Sequence, residues 1–396
     1  MSLEVDLRSS AGAPLAQRTS GARPLRVLHV GKFYPPHMGG IETHLEALSR
    51  ELTKIVDLRV VVASDGSRSA EELIDGVRVL RVATPVNLFS APVCPGIVSQ
   101  IRRTQADILH IHLPNPIAVL SSLAAGHRGH LVITYHSDTV RQKFLGRLFE
   151  PFLQAILRRS SVVIATSSAY LDSSPFLSAH RDKCRVIPYG IDTHQFQKCE
   201  SDAVDRIRRE HGDRLVISVG RLVYYKGFEY LIRAMADVRG KLLIVGDGPL
   251  RGQLETLVDR LGIRDKVIFT GEIDNSQTAP YYHAAKVFVL ASIARSEAFG
   301  IVQIEAMAAG LPVINTRLES GVPFVSLHGQ TGLTVEPANP SALASAINRL
   351  LDNPDLRNSL GVAGVQRANA EFSLERMATR TVQLYNEVMQ GATRIR

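Results

Sequence analysis

Paired cysteines, long apolar runs, repeats and an Asp-x-Asp motif are all missing from this 396-residue chain. Its three cysteines, Cys94, Cys184 and Cys199, form no close pair and leave one over. That excludes a disulfide framework and a cysteine zinc cluster, and it points to a reducing cytoplasm. No apolar run approaches the roughly 20 residues that span a bilayer. The nearest candidate, Ile117 to Gly126, is short and carries two serines. With Glu4 and Asp6 and no apolar segment, the N-terminus is not expected to be a signal peptide. No glycine period or helical repeat at fixed spacing indicates a fibrous or solenoid fold. Aromatic residues make up 6% and are not interleaved with a basic stripe, so a nucleic-acid binder, the reading prompted by a pI near 9.5, lacks its stacking residues.

What is present suits two globular domains: 45% hydrophobic residues, 21% charged, and a length above that of one typical domain. The net charge of +8 is uneven. Up to Asp192 there are 22 basic against 16 acidic residues, and beyond it 24 against 22. A basic first half suggests an anionic partner: a polyphosphate, a nucleic acid or a membrane surface.

Short β-branched runs alternate with helical patterns throughout. They fall at 25–33, 58–64, 78–83, 107–114, 131–137 and 161–168, and again at 215–222, 241–248, 266–272, 287–292, 311–316 and 332–337. Continuous rather than alternating apolar strands belong to sheets covered on both faces. The expected fold class is therefore α/β, with two doubly wound parallel-sheet domains. The Pro- and Gly-containing stretch 187–198 is the natural joint. Residues 1–23 are expected to be a mobile tail, 24–192 the first domain and 193–373 the second. Ligands of such sheets sit beyond the carboxyl ends of the strands, where Gly31, His136, Ser137, Gly220, Arg221, Gly246 and Ser296 fall.

Two segments carry chemistry on their own terms. In GRLVYYKG (220–227), Arg221 follows a strand and Lys226 precedes a helix. Two fixed cations near a helix start suit a diphosphate, although a strand end with two solvated charges reads equally well. In SEAFGIVQIEAMAAGLPVINT (296–316), Glu297 precedes a Phe-Gly-Ile turn and Glu305 sits among Ile304, Ala306, Met307 and Ala308. A carboxylate inside an apolar helix needs a partner. Sugar or ribose hydroxyls are good ones, and a structural salt bridge is the alternative. His110 and His112 alternate on a strand with metal-ligand spacing, but no third ligand is near in sequence, so a structural or acceptor-side role is expected.

Taken in order, HVGKFYPPHMGGIE, HIHLPNP, YHSD, IPYGID, GRLVYYKG, VGDGP, VIFTGE, SEAFGIVQIEAMAAGLPV and GLTVEP resemble the large retaining glycosyltransferase family of the GT-B fold, family 4, from Leu25 to the end. GKFYPP, YHSD followed by TVRQK, and IPYGID look most like bacterial polysaccharide mannosyl- and rhamnosyltransferases. The resemblance implies transfer of a hexose, mannose or a deoxyhexose from a GDP-sugar, with retention, to a hydroxyl of a glycan or lipid-linked glycan. A UDP-sugar donor with a soluble acceptor is the alternative within the family. It implies that Arg221 and Lys226 hold the donor diphosphate and that Gly39 and Gly40 approach it. Glu297, with the amides of Phe299, Gly300 and Ile301, would line the donor-sugar pocket. Glu305 would hold the ribose, and His136 would stand near the anomeric carbon. It also implies that residues 374–396 form a helix packing back on the first domain.

Two departures are visible: Tyr189 stands where many members have Asn before the hinge glycine, and 317–325 reads RLESGVPFV where many have a Gly-Gly pair followed by Glu. With no Asp-x-Asp, no metal or other cofactor is expected, because Arg221, Lys226 and helix dipoles can supply the electrostatics. Between Arg102 and Arg185, 11 basic residues face five acidic ones, and 141–159 mixes Phe and Leu with Arg and Lys. That suits either a peripheral site on the inner face of the cytoplasmic membrane or a helix pair covering the sheet, with Pro151 expected to divide the stretch in two.

Overall fold

The computed structural model describes residues 23–37, 39–88, 91–136 and 143–391. The tail expected at 1–23 therefore lies almost wholly outside the described residues, as do Ser137 and the stretch 138–142. Two open sheets organise the chain. The first runs, edge to edge, Cys184–Val186, Val162–Ala165, His130–Tyr135, Ile108–Leu113, Arg26–Val30, Asp57–Ala63, Val77–Val82 and Ala70–Ile74. The second runs Val267–Gly271, Lys241–Val245, Leu215–Val219, Val287–Val289, Val313–Thr316 and Gly332–Val335. Every pairing in the second sheet is parallel. In each, the first strand of the fold lies inside the sheet with neighbours on both sides, so the chain reverses its winding there. The carboxyl ends flanking that reversal form a crevice.

The first sheet departs from the all-parallel expectation at one edge, where Ala70–Ile74 pairs antiparallel with Val77–Val82. The reason is local. Asp75 and Gly76 both adopt positive φ, 47° and 79°, the geometry of a two-residue hairpin turn, and the edge strand is almost wholly solvent-exposed. Its polar face gives no buried-strand signal.

Both sheets are covered on both faces. On the first, Leu28, Ile111 and Ile133 pack on one side with Ile97, Ile101, Ala118 and Ile156, and Val60, Val79 and Ile108 pack on the other with Leu45, Leu48, Tyr385 and Val388. Tyr385 and Val388 belong to the last described helix, Leu374–Met389, which packs against the first domain after the chain has completed the second. Both crossings between the domains lie side by side: Ile191 bridges Ser373, with Ile191 N–H donating to Phe372 and Leu374 N–H donating back to Ile191. A Cβ on Gly190 would sit 2.5 Å from the Ser373 carbonyl oxygen, so that close approach requires glycine. Three helices begin at an Asn-Pro pair (Asn115, Asn339, Asn353). In each, the Asn side chain caps a backbone N–H and Pro occupies the first turn, where its missing N–H costs nothing.

Pro151 does not divide its segment. Lys143–Arg159 is one helix of 17 residues with Pro151 inside it. Ile156 and Leu157 are buried against the sheet and Phe149 and Leu153 partly so, which offsets the one backbone hydrogen bond a proline removes. Leu148 and Phe152 face solvent, 64% and 46% exposed. The side chains of Lys143 and Arg147, and Arg141 entirely, fall outside the described residues. No helix among the described residues is long and apolar enough to cross a membrane.

Candidate active site

The strand Leu215–Val219 ends at Gly220 and Arg221, next to the end of Lys241–Val245 at Gly246. Gly246 has φ +131°, and a Cβ there would lie 2.3 Å from the Gly220 carbonyl oxygen, so the two strand ends can close up only with glycine. They open onto a cavity of about 420 Å³ lined by Gly220, Arg221, Asp247, Glu272, Thr278 and Glu305, among others. Arg221 is exposed at its rim.

Glu305 lies in the first turn of the helix Val302–Ala308 and is buried, 8% exposed. Its carboxylate accepts a 2.7 Å hydrogen bond from the Tyr282 hydroxyl. Burial raises its pKa above the ordinary glutamate value, and the Tyr282 hydrogen bond and the charge of Lys226 work against that rise. The partner is thus a phenol on a neighbouring helix, and the carboxylate also fronts the cavity.

Glu297 lies in the loop after Val287–Val289 and is equally buried. Its carboxylate accepts from Ser292 Oγ at 3.0 Å and forms an ion pair with Lys226 Nζ at 2.6 Å. Burial on its own would lower the lysine's pKa. The adjacent Glu297 carboxylate reverses the sign, and the ammonium is held in its charged form. Lys226 is the last residue of a short 3₁₀ turn, Tyr224–Lys226, and Gly227 after it has φ +68°, with a Cβ there 2.0 Å from the Ala291 carbonyl oxygen. The turn is pressed against the loop that carries Ser292 and Glu297. The structure therefore brings Arg221, Lys226, Glu297 and Glu305 to one region, and it pairs Lys226 with Glu297 directly.

Phe299 is buried, its ring edge-on to Tyr189 and Phe372 at 5.0 and 6.0 Å. Gly300 has φ +74°, and Ile301 precedes the helix Val302–Ala308. Across the domain boundary, Arg295 Nη2 donates to the Ser173 carbonyl oxygen at 2.9 Å. Gly39 and Gly40 start the helix Gly40–Leu52, and neither has positive φ. A Cβ on Gly40 would meet nothing within 4 Å, so the protein itself imposes no need for glycine there.

His136 follows the strand His130–Tyr135 and is 2% exposed. Its Nδ1 pairs with the Tyr189 hydroxyl, and its Nε2 lies 3.1 Å from His112 Nδ1. From there a hydrogen-bonded chain continues: His112 Nε2 to His29 Nδ1 at 3.4 Å, His29 Nε2 to Tyr385 OH at 3.0 Å, Tyr385 OH to His110 Nδ1 at 2.6 Å, and His110 Nε2 to Thr134 Oγ1 at 2.7 Å. Burial pushes the pKa of His29, His110, His112 and His136 far down, to about 3 for His29, so the chain is built of neutral imidazoles. Tyr189, at the joint, stacks on His136 and meets Phe299, linking the two domains through His136.

His29, His44, Tyr189, Tyr282, Ser292 and Tyr385 were not legible as site residues. The third ligand that His110 and His112 lack nearby in sequence is present in space: His29 lies within reach of both, and His44 and His136 lie within reach of His112. The distance in sequence between these elements is why no local pattern reveals them.

Comparison with known proteins agrees with this architecture. The profile described as Glycosyltransferase Family 4 matches residues 38–195, and that described as Glycosyl transferases group 1 matches residues 201–367. A D-rhamnosyltransferase of Pseudomonas aeruginosa is 31% identical over 341 residues, 85% of this chain and 89% of that protein. A GDP-mannose-dependent alpha-(1-6)-phosphatidylinositol monomannoside mannosyltransferase of Mycolicibacterium smegmatis is 31% identical over 360 residues, 85% and 92% of the two chains. Among solved structures, the sucrose-phosphate synthase of Thermosynechococcus elongatus superposes with a TM-score of 0.77 at 26% identity, covering 92% of this chain and 100% of that one. Matched in both halves and along nearly its whole described length, the chain belongs to the family 4 glycosyltransferases of the GT-B fold.

Proposed function

We propose that this glycosyltransferase moves mannose or a deoxyhexose, with retention, from a GDP-sugar to a hydroxyl of a glycan or lipid-linked glycan. The observation that carries the reading is the Lys226–Glu297 ion pair beside the cavity fronted by Glu305 and Arg221. In this reading Lys226 serves the leaving diphosphate, Glu297 the sugar hydroxyls and Glu305 the ribose. The two relatives named above supply the choice of sugar, of guanosine diphosphate and of a lipid-linked acceptor.

In this reading the acceptor hydroxyl attacks C1 from the leaving-group face. The new C1–O bond forms as the bond to the diphosphate oxygen breaks, and the acceptor proton passes to that phosphate oxygen. Lys226 and Arg221 stabilise the charge that grows on the diphosphate. His136 hydrogen-bonds the donor sugar after exchanging one of its two present partners, and it serves neither as general base nor as nucleophile. No metal takes part in the transfer.

The exposed Leu148 and Phe152, with Arg158 and Arg159 exposed in the last turn of the same helix, support a peripheral site on an anionic membrane surface. The deciding experiment is a thermal-shift series with GDP, UDP, ADP and dTDP, followed by NMR of the product's anomeric configuration. GDP should give the largest rise, because a ligand selective for the native state stabilises it. The product should keep the donor's configuration, and EDTA should leave turnover unchanged. A larger rise with UDP would move the donor to the alternative, and an inverted product would sink the mechanism.

A further inference from the structure

His44 is the one member of the buried histidine group that the hydrogen-bonded chain does not use. It sits in the second turn of the helix Gly40–Leu52, is 7% exposed, and neither ring nitrogen has a hydrogen-bond partner. Buried polar atoms are nearly always satisfied, so two orphaned nitrogens on one ring call for a ligand. The ring stands edge-on to His136 at 4.9 Å and tilted to His112 at 5.8 Å. One nitrogen from each of His44, His112 and His136 lies within 4.8 Å of the other two.

We propose that His44, His112 and His136 hold one soft divalent cation of the zinc type. The His112 Nδ1 to His136 Nε2 separation of 3.1 Å is close to the roughly 3.3 Å between two nitrogens on a tetrahedral zinc with bonds of about 2.0–2.1 Å. Three neutral imidazoles favour zinc, cobalt, nickel or copper over magnesium or calcium, which take oxygen ligands. The remaining ring nitrogens are already anchored, His136 Nδ1 on Tyr189 and His112 Nε2 on His29, the outer support that orients ligating histidines. The overlapping group His29, His110 and His112 does not qualify. Both nitrogens of His110 are bonded outside that group, to Tyr385 and Thr134, whereas the nitrogens that His112 and His136 would give the cation are bonded to each other, and the His29 group has no orphaned atom to explain.

A cation there would draw His136 away from the donor sugar, so zinc should inhibit a transfer that needs no metal. That consequence rests on the role proposed for His136, whereas the binding itself does not.

The test uses the full chain, stripped with chelator and titrated with Zn²⁺ against a chromophoric chelator, and separately with Co²⁺ followed by its visible absorption. One equivalent should bind, Co²⁺ should show the intense bands of low coordination number, and zinc-edge X-ray absorption should count three imidazoles. His44→Phe should weaken binding at least tenfold, while the exposed control His194→Ala should not. Zinc should slow transfer by the native enzyme, reversibly with EDTA, and His44→Phe should lose that sensitivity. No stoichiometric binding at micromolar zinc, or binding equally tight in His44→Phe, would overturn the site. Should His44→Phe fail to fold, the count of imidazoles in the native protein decides alone, and fewer than three refutes it. Stoichiometric binding through His44 without inhibition would support the site and overturn the role of His136.

Discussion

Replacing Lys226 by Met should separate two roles that the ion pair with Glu297 combines. The side chains of the pair are 12% and 10% exposed, so solvent screens them little. Removing one partner of such a pair leaves a buried carboxylate with Ser292 as its one donor among the described residues, and it takes a cation away from Glu305 as well. The cost should be about 3 kcal/mol, the low end of the range for broken buried pairs. For a domain of this size that lowers the melting temperature of the second domain by about 6–12 °C. Adding Glu297→Gln removes the stranded charge while keeping an acceptor for Ser292, and should restore most of that loss. Arg221→Ala, at an exposed position, should change stability by less than about 0.5 kcal/mol. Both cation variants should nonetheless lose transition-state stabilisation of roughly 2–4 kcal/mol, about 30- to 1,000-fold in kcat/KM. Calorimetry and steady-state kinetics on the three variants and the wild type test this. A Lys226→Met protein as stable as wild type would refute the energetic reading of the pair, and near-normal turnover in either Lys226→Met or Arg221→Ala would refute the catalytic assignment of that cation.

Glu305→Gln should be at least as stable as wild type at pH 7, because a carboxylate whose pKa burial has raised loses its stabilising contribution as pH climbs through that value, and Gln carries no charge to desolvate. The same variant should bind nucleoside diphosphate at least tenfold more weakly by calorimetric titration, and a destabilisation above about 1 kcal/mol would contradict the first half. Tyr385→Phe strips a partner from His29 Nε2 and His110 Nδ1 together and should destabilise the first domain by about 1–3 kcal/mol in urea unfolding, with nucleotide affinity unchanged. An effect below about 0.5 kcal/mol would mean that the bridging hydroxyl carries no energy. Leu148→Glu combined with Phe152→Glu should abolish cosedimentation with anionic vesicles at low salt and leave nucleotide binding intact, and persistent cosedimentation would assign the membrane contact elsewhere.

Unbroken apolar runs made the two sheets legible, because strands buried on both faces carry no polar alternation, and the glycines that end those runs located the strand tips where a ligand belongs. The sequence marked Arg221, Lys226, Glu297 and Glu305 because charge next to a glycine turn, or inside an apolar helix, is costly without a purpose. It did not reveal the edge strand Ala70–Ile74, whose exposure removes the apolar signal, nor the unbroken helix through Pro151, which buried neighbours hold together. Which residues pair across elements emerged from the packing of the folded domains. Parallel register sets His29 beside His110 and His112 beside Thr134, placing His136 two residues beyond the latter. A helix from the end of the chain delivers Tyr385 to His29 across 356 residues, and a helix after the glycine loop delivers His44. Tyr282 reaches Glu305 in the same way from a neighbouring helix. These contacts depend on strand register and helix docking, which are fixed by packing across the whole domain, so no local spacing of residues encodes them.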